Sequence, residues 1–215
     1  CMSKAGAKAG MPMPLDLIHR NNFLVLGRAG MDLYADPPGT ETELATRFTS
    51  ALGGSSANIA AGISRLGGAA SLISAVSDDA VGRFTLNELK KYGIDSAHVA
   101  VISGEARNSL ALVETRSENC QSVIYRNGAA DFQVSEDQVR GIDLAPFGAL
   151  ILTGTCLAMQ PSRGASMLLI KRANQAGLPV ILDLDYRPYS WASQEEAAAI
   201  CYGAAPLCDV IVGND

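Results

Sequence analysis

The sequence is poor in the residues from which several common functional sites are built. It has only two histidines, His19 and His98, which are too few to favour a zinc site built from histidines or a Ser-His-Asp triad. Its cysteines are odd in number and show no CxxC spacing, which is typical of reduced thiols in a cytosolic protein. We therefore expect a cytoplasmic protein. The cysteines are Cys1, Cys120, Cys156, Cys201 and Cys208.

Positive charge and long apolar runs are also scarce. The net charge is −5 with no run of lysines or arginines, so neither nucleic acid nor an anionic membrane surface is an expected partner. No uninterrupted apolar run reaches the roughly 20 residues of a membrane span. The first residues lack the apolar core of a signal peptide, and we expect residues 1–20 to form a flexible tail.

Two nucleotide-binding signatures are missing as well. The chain contains no G-x-x-x-x-G-K-[ST] sequence, and residues 27–32 do not have the G-x-G-x-x-G register. Neither a P-loop nor a dinucleotide site is therefore indicated. With 48% hydrophobic and 18% charged residues, the chain can nevertheless bury a sizeable core.

The dominant pattern is an alternation of short apolar strands with helices. Near-continuous apolar strands separated by helices predict an α/β fold, a parallel sheet covered on both faces. Three of the helices are expected to end at Gly67, Gly93 and Gly177. The predicted strands cover residues 23–26, 71–76, 149–152, 180–184 and 209–212, and the helices cover residues 55–66, 79–92, 161–176 and 193–202.

Two segments depart from this alternation. Residues 34–48 are polar and contain Pro-Pro-Gly, and residues 107–127 contain two strand-like runs around a polar turn, which is typical of a hairpin. We expect the two segments to form a small β lid. Because such a sheet has exposed edges, we also expect it to pair with the lid of a second subunit in a homodimer.

The stretch Leu-Gly-Gly-Ser-Ser-Ala-Asn at residues 52–58 predicts a ligand-binding turn. Gly53 and Gly54 let the backbone turn sharply and approach a ligand. Ser55 or Ser56 is expected to cap the helix that follows. Its free N–H groups would suit hydroxyls or anions.

Polar residues recur directly after the predicted strands. In an open α/β sheet these strand ends border one crevice, where ligands bind. One such residue alone would be a cap or a surface residue, but several after separate strands favour a ligand site. They are Asp32, Thr153, Thr155, Asp185, Arg187 and Asn214.

Several segments together resemble the PfkB (ribokinase-like) carbohydrate kinases. They are Gly-Arg-Ala-Gly-Met-Asp at residues 27–32, Gly-Gly-Ser-Ser-Ala-Asn at 53–58, Ser-Asp-Asp-Ala-Val-Gly at 77–82, Tyr-Arg-Asn-Gly-Ala-Ala-Asp at 125–131 and Asp-Leu-Asp-Tyr-Arg-Pro-Tyr-Ser-Trp at 183–191. The resemblance extends from about residue 23 to residue 215. It implies a ribokinase-like parallel sheet sandwiched by helices, with residues 21–215 as the sugar-binding portion and residues 34–48 and 107–127 as the lid.

The resemblance also implies an activity. The intact protein would transfer the γ-phosphoryl group of ATP, with Mg²⁺, to the primary hydroxyl of a sugar acid, 5-dehydro-2-deoxygluconate of myo-inositol catabolism. A kinase of 2-keto-3-deoxygluconate or of another sugar is the alternative within the family. A non-catalytic module that binds sugar acids is the alternative of another class, and a Gly-Ala-Gly-Asp motif encoded downstream would distinguish a kinase from it.

By the same resemblance, hydroxyl groups of the sugar would be bound near the glycine pair. Asp32 would accept hydrogen bonds from them, although it could be only a turn residue. Gly53 and Gly54 would let the backbone approach the sugar. Asn58 would bind a hydroxyl from the first turn of its helix.

The implied carboxylate site consists of Arg126 and Arg187, because a planar guanidinium pairs with both oxygens of a carboxylate. A surface salt bridge is the alternative for each arginine. Thr155 and Asp185 would shape the pocket.

The chain departs from the family pattern at small residues and in length. Ser56 and Ser77 stand where many members have a residue without a hydroxyl. Asn214 begins a phosphate and magnesium motif, Asn-x-x-Glu, whose Glu is not reached. The catalytic Asp and the nucleotide site are expected beyond Asp215, so we expect the chain of residues 1–215 to be inactive alone.

Overall fold

The computed structural model describes residues 14–116 and 118–213. The strands are β1 (Asn22–Leu26), β2 (Gly30–Asp36), β3 (Arg47–Gly53), β4 (Ala69–Ser77), β5 (Val99–Ile102), β6 (Leu110–Val113), β7 (Ser122–Tyr125), β8 (Ala149–Thr153), β9 (Val180–Asp183) and β10 (Val210–Val212). The α-helices are α1 (Ser55–Arg65), α2 (Ala80–Lys91), α3 (Glu136–Arg140), α4 (Ser162–Gln175) and α5 (Gln194–Ala204). Most of the predicted tail, with Cys1, lies outside the described residues, and Pro14–Leu17 form a short 3-10 turn.

Six strands form one parallel sheet in the order β10-β9-β8-β1-β4-β5. This confirms the predicted parallel sheet. The central strand β1 is buried from Leu24 to Leu26, as expected of a strand with neighbours on both sides and helices on both faces. Strand β5 was not predicted, since its four residues are half-exposed at the edge of the sheet.

The core is divided between the two faces of this sheet. Leu24 and Leu26 belong to one apolar cluster, which contains Leu169 and Ile170 of α4. Val25 belongs to the other cluster, which contains Ala57 of α1. Successive side chains of a strand point to opposite faces of the sheet. The apolar residues 24–26 of β1 therefore contribute side chains to the core on both faces. The sandwich of helices around the sheet is therefore confirmed.

A second sheet has the order β3-β2-β6-β7 and corresponds to the predicted lid. Strands β2 and β6 run parallel, and the other two pairs run antiparallel. The hairpin predicted within residues 107–127 forms as β6 and β7. The sheet extends beyond the predicted segment 34–48, because β2 begins at Gly30 and β3 continues to Gly53.

The predicted serine cap of α1 is wrong. The residue before the helix is Gly54, at φ +99°, and no side chain caps the first turn. Ser56 already lies inside the helix, where its buried hydroxyl donates to the carbonyl of Leu26 at 3.0 Å. The N–H of Ala57 donates to the carbonyl of Arg28 at 3.2 Å. Contacts with the end of β1, rather than a local cap, therefore hold the start of α1.

The other helix boundaries follow the sequence more closely. Gly67, Gly93 and Gly177 have positive φ angles just beyond the ends of α1, α2 and α4, as a C′ glycine does. Asp79 caps α2 by accepting from the N–H groups of Val81 and Gly82. None of the helices in the described ranges is long and apolar enough to cross a membrane.

Two glycines of the α1 region should respond oppositely to alanine. Gly54→Ala places a side chain at φ +99° and drives its Cβ into the Arg28 carbonyl, so the free energy of unfolding should fall by about 1–3 kcal/mol. Gly62→Ala is the control, because Gly62 is exposed within the helix with open space around it. This change should raise the free energy of unfolding by roughly 0.5–1 kcal/mol. Denaturant unfolding of the full-length protein measures both, and equal stabilities would contradict the expected strain.

Candidate ligand-binding site

The predicted crevice residues come from both sheets rather than from one. Thr153 ends β8 and Asp185 follows β9, as expected of residues at the carboxyl ends of parallel strands. Asp32 does not follow a strand of the central sheet, which corrects the prediction. It lies within lid strand β2, opposite Ala51 of β3. Strand β2 begins at Gly30, directly after the short connection that follows β1, so Asp32 is a strand residue and not the turn residue that was its alternative role.

Asp32 is a buried carboxylate with few donors. It is 9% exposed, and its Oδ1 has no hydrogen-bond partner among the described residues. Burial raises the pKa of Asp32, and the nearby Arg28 opposes that rise. A buried polar atom without a partner is uncommon in a folded protein, and here it suits the hydroxyl donors of a ligand.

The glycine pair gives this carboxylate its room. A Cβ on Gly53 would collide with the Asp32 carboxylate, so only glycine permits the approach of β3 to β2 at this point. The hydroxyl of Ser55, at the first position of α1, is also buried without a partner among the described residues. Asn58 is exposed in the same first turn. The start of α1 thus offers polar groups shortly after Gly53, which lies against Asp32.

A chain of hydroxyls joins α1 to the end of β8. The Ser56 and Thr153 oxygens lie 3.2 Å apart, and those of Thr153 and Thr155 lie 3.0 Å apart. Thr155 also accepts a hydrogen bond from Arg126 through its carbonyl at 3.2 Å. Thr155 therefore positions Arg126, while its own hydroxyl is bonded within the protein.

Arg126 is buried and mostly committed to partners within the protein. Its Nε and Nη2 donate to Oδ2 of Asp131 at 3.1 and 2.5 Å, and Nη1 donates to Ser190 Oγ at 3.3 Å. Its guanidinium carbon lies 4.0 Å from the centroid of the Phe132 ring. With the bond to Thr155, all but one of its N–H donors have an acceptor. Arg126 has little capacity left for a ligand carboxylate, and Asp131 balances its charge.

Arg187 is more available. Its side chain is 52% exposed, and its Nε lies 3.0 Å from Oδ1 of Asp185. Asp185 has a left-handed φ of +37°, and its N–H donates to the Asp183 carboxylate. Burial and the Asp185 charge raise the pKa of Asp183. The turn after β9 therefore fixes Arg187 through Asp185 and leaves most of its guanidinium free.

Tyr189 lies within the electrostatic reach of all three arginines of the region. Burial raises the pKa of its phenol, while Arg187, Arg28 and Arg126 each act to lower it. The structure thus brings Arg28 into the same region as the two predicted arginines. Sequence reasoning assigned no role to Arg28, Asp131 or Tyr189, although each lies in a segment of the family pattern.

The phosphate and magnesium motif cannot be located in the same way, because Asn214 lies outside the described residues. Across residues 14–116 and 118–213, no group of three or more His, Cys, Asp or Glu side chains is arranged to hold a metal ion.

Removing the partner of Arg126 should be costly. Asp131→Asn leaves a buried guanidinium without its counter-ion, and the free energy of unfolding should fall by about 3–5 kcal/mol. The control Glu136→Gln breaks an ion pair with Arg140 whose side chains are more than half exposed, and should change stability by less than about 1 kcal/mol. Denaturant unfolding of the full-length variants tests the difference. A small effect at Asp131 would mean that the buried pair is not a structural requirement.

Comparisons with known proteins place the chain in a family. The model of the pfkB family carbohydrate kinases matches residues 20–215. The chain is 40% identical over 202 residues to 5-dehydro-2-deoxygluconokinase of Photobacterium profundum, a match that covers 94% of this chain and 59% of that protein. The chain therefore spans about three fifths of the length of this curated relative.

Solved structures show the same fold. The PfkB protein from Polaromonas sp. JS666 matches with a TM-score of 0.80 at 25% identity, over 88% of this chain and 64% of that one. Fructokinase from Xylella fastidiosa, solved with bound ATP, matches with a TM-score of 0.76 at 24% identity, over 89% and 57%. The match of the family model over residues 20–215, together with this fold, shows that the chain belongs to the PfkB family of carbohydrate kinases.

Proposed function

We propose that the intact protein is an ATP-dependent kinase that phosphorylates the primary hydroxyl of a sugar acid, 5-dehydro-2-deoxygluconate. The observation that carries the proposal is the cluster of three arginines around Tyr189 in a protein whose net charge is −5. Placed guanidinium groups, rather than the overall field, would attract the acid. The name of the Photobacterium relative supports the same substrate.

In this proposal, the residues of the chain bind and orient the acceptor. Arg187 pairs with the carboxylate, while Asp32 and the start of α1 hold the hydroxyls. Asp185 keeps Arg187 in place, and Thr155 keeps Arg126 in place. Positioning of this kind is most of what phosphoryl transfer requires of the acceptor site.

The phosphoryl donor is ATP with Mg²⁺. The fructokinase of the same fold that was solved with ATP supports the nucleotide. When bound, Mg²⁺ would neutralise part of the negative charge on the phosphate groups. Asn214 is the one residue of this chain that we assign to the phosphate and magnesium motif. The catalytic Asp and the nucleotide site belong to the part of the kinase beyond residue 215.

We further propose a homodimer through the lid, in the cytoplasm. The outer strands of the lid sheet are β3 and β7, and they expose Phe48, Val123 and Tyr125. Open sheet edges with exposed apolar side chains favour pairing with another copy. The cysteines in the described part of the chain form no disulfides, which agrees with a cytoplasmic protein. Burial also raises the pKa of the Cys156 thiol to about 12, so this thiol stays protonated.

Selectivity tests the proposed substrate class. Arg187→Ala should lower kcat/KM for 5-dehydro-2-deoxygluconate roughly tenfold to over a hundredfold, since a charge-assisted bond contributes about 1.5–3 kcal/mol. Turnover of fructose and ribose should change little. Arg140→Ala, which removes an exposed arginine on α3, is the control and should behave as the wild type.

The wild-type enzyme itself provides the decisive comparison. Fructose or ribose used as well as the acids would refute a sugar-acid kinase. A clear preference for 2-keto-3-deoxygluconate would keep the mechanism and change the named substrate. Binding of the acids without any ATP-dependent phosphorylation would favour the non-catalytic module.

Asp32→Asn should separate stability from function. Because burial raises the pKa of Asp32 in the folded state, its ionised form destabilises the fold at neutral pH. The variant should therefore have a higher Tm than the wild type at pH 7. This advantage should vanish as the pH falls through the raised pKa, where the wild-type carboxyl is protonated. Loss of the acceptor for sugar hydroxyls should meanwhile lower kcat/KM by roughly tenfold or more. A lower Tm at pH 7 together with unchanged kinetics would contradict both expectations.

A further inference from the structure

We propose that Arg28 binds the carboxylate of the acceptor together with Arg187 and strengthens the preference for acids over neutral sugars. The inference rests on the proposed function, and it adds to the carboxylate site a cation that sequence patterns did not select. It follows from a comparison of the partners of Arg28, Arg126 and Arg187.

The backbone of Arg28 is held firmly at the junction of the core and the lid. Its carbonyl accepts the N–H of Ala57 from the first turn of α1 at 3.2 Å. Gly54 lies so close to the same carbonyl that a Cβ there would collide with it. The guanidinium therefore starts from a fixed point beside the glycine pair and Asp32.

The side chain of Arg28 is partly buried and lacks an ion-pair partner among the described residues. Within the part of the chain that the structure describes, its one hydrogen bond is from Nη1 to Ser109 Oγ at 3.1 Å, and it makes no ion pair. Arg126, in contrast, is paired with Asp131. A guanidinium that is partly removed from water without an ion pair costs the folded protein free energy, and this cost is offset when an anion binds.

The charges around Arg28 indicate what kind of anion fits. Burial lowers the pKa of Arg28, and the positive charge of Arg126 lowers it further. Asp131, Asp32 and Tyr189 act in the opposite direction, but Asp131 is already bonded to Arg126. The attraction of a negatively charged ligand group would therefore compensate for both the lost hydration of Arg28 and its repulsion by Arg126.

Arg28 and Asp32 together match the two kinds of group in a hydroxy acid. The cation has most of its donors free, and the carboxylate has an oxygen without any donor among the described residues. The two side chains do not pair with each other. A sugar acid would supply a carboxylate to Arg28 and hydroxyls to Asp32, whereas a neutral sugar supplies only the hydroxyls and leaves the guanidinium unpaired. Unpaired buried groups of this kind are what make a polar site selective.

A purely structural role is the alternative. Ser109 directly precedes lid strand β6, so the bond from Arg28 also ties the junction to the lid. Ser109→Ala removes that bond while keeping the charge, which makes it the matched control. Arg28→Gln removes the charge while keeping an N–H group that can donate to Ser109.

The experiment compares kcat/KM for 5-dehydro-2-deoxygluconate, 2-keto-3-deoxygluconate and fructose in the full-length kinase. Arg28→Gln should lose roughly tenfold to a hundredfold on both acids and less than about threefold on fructose. Ser109→Ala should change all three substrates by the same small factor. Because a general loss of folded enzyme cancels in the ratio of acid to fructose, that ratio is the readout.

An unchanged acid-to-fructose ratio in Arg28→Gln would overturn the inference, and so would losses parallel to those of Ser109→Ala. If Arg28→Gln does not fold, Arg28→Lys decides by the same ratio, because a lysine lacks the planar fork that pairs with a carboxylate. A wild-type enzyme with no preference for acids would instead refute the proposed function itself. That result can be told apart from a failure of the Arg28 inference, because it is measured on the wild-type enzyme alone.

Discussion

The short turn between β1 and β2 is the constraint on which the core, the lid and the candidate site depend. Within a few residues the chain leaves the buried central strand and enters the lid sheet. Gly27 donates to Ile73 of β4, Arg28 accepts from Ala57 of α1, and Met31 donates to Ser109 next to β6. These bonds fix the angle between the two sheets, and with it the distance between Asp32 on the lid and the strand ends of the core.

The site combines a paired buried charge with charges that have no ion-pair partner. Arg126 and Asp131 form a buried pair, and their attraction and hydrogen bonds offset part of the cost of removing both charges from water. Asp32 is buried and Arg28 is partly buried, and neither makes an ion pair with a described residue, so the fold has to tolerate that cost. Unsatisfied charged groups that lie near one another are typical of a place where a ligand completes the structure. The contrast between Arg126 and Arg28 is therefore more informative than the presence of either arginine alone.

The family pattern and the contacts of the site complement each other. The pattern selected Arg126 and Arg187 as binding residues, and both lie in the crevice region near Tyr189. Their partners give them different capacities: Arg126 is held by Asp131, while Arg187 makes one ion pair through Nε and is half-exposed. Ser56 also shows that the contacts add to the family pattern. It departs from the usual residue at its position, and its buried hydroxyl donates a hydrogen bond to the carbonyl of Leu26 at the end of β1.

The sequence by itself determined the alternation of strands and helices, the ends of three helices at glycines and the hairpin of the lid. These features depend on local periodicity and on backbone preferences, which can be read from neighbouring residues. Only the tertiary structure decided that Asp32 lies on a lid strand, that Ser56 bonds to Leu26 instead of capping α1, and that Arg28 lacks a counter-ion. Each of these depends on distances between segments far apart in the chain. Whether a buried charge is paired or left for a ligand is settled only when those segments meet.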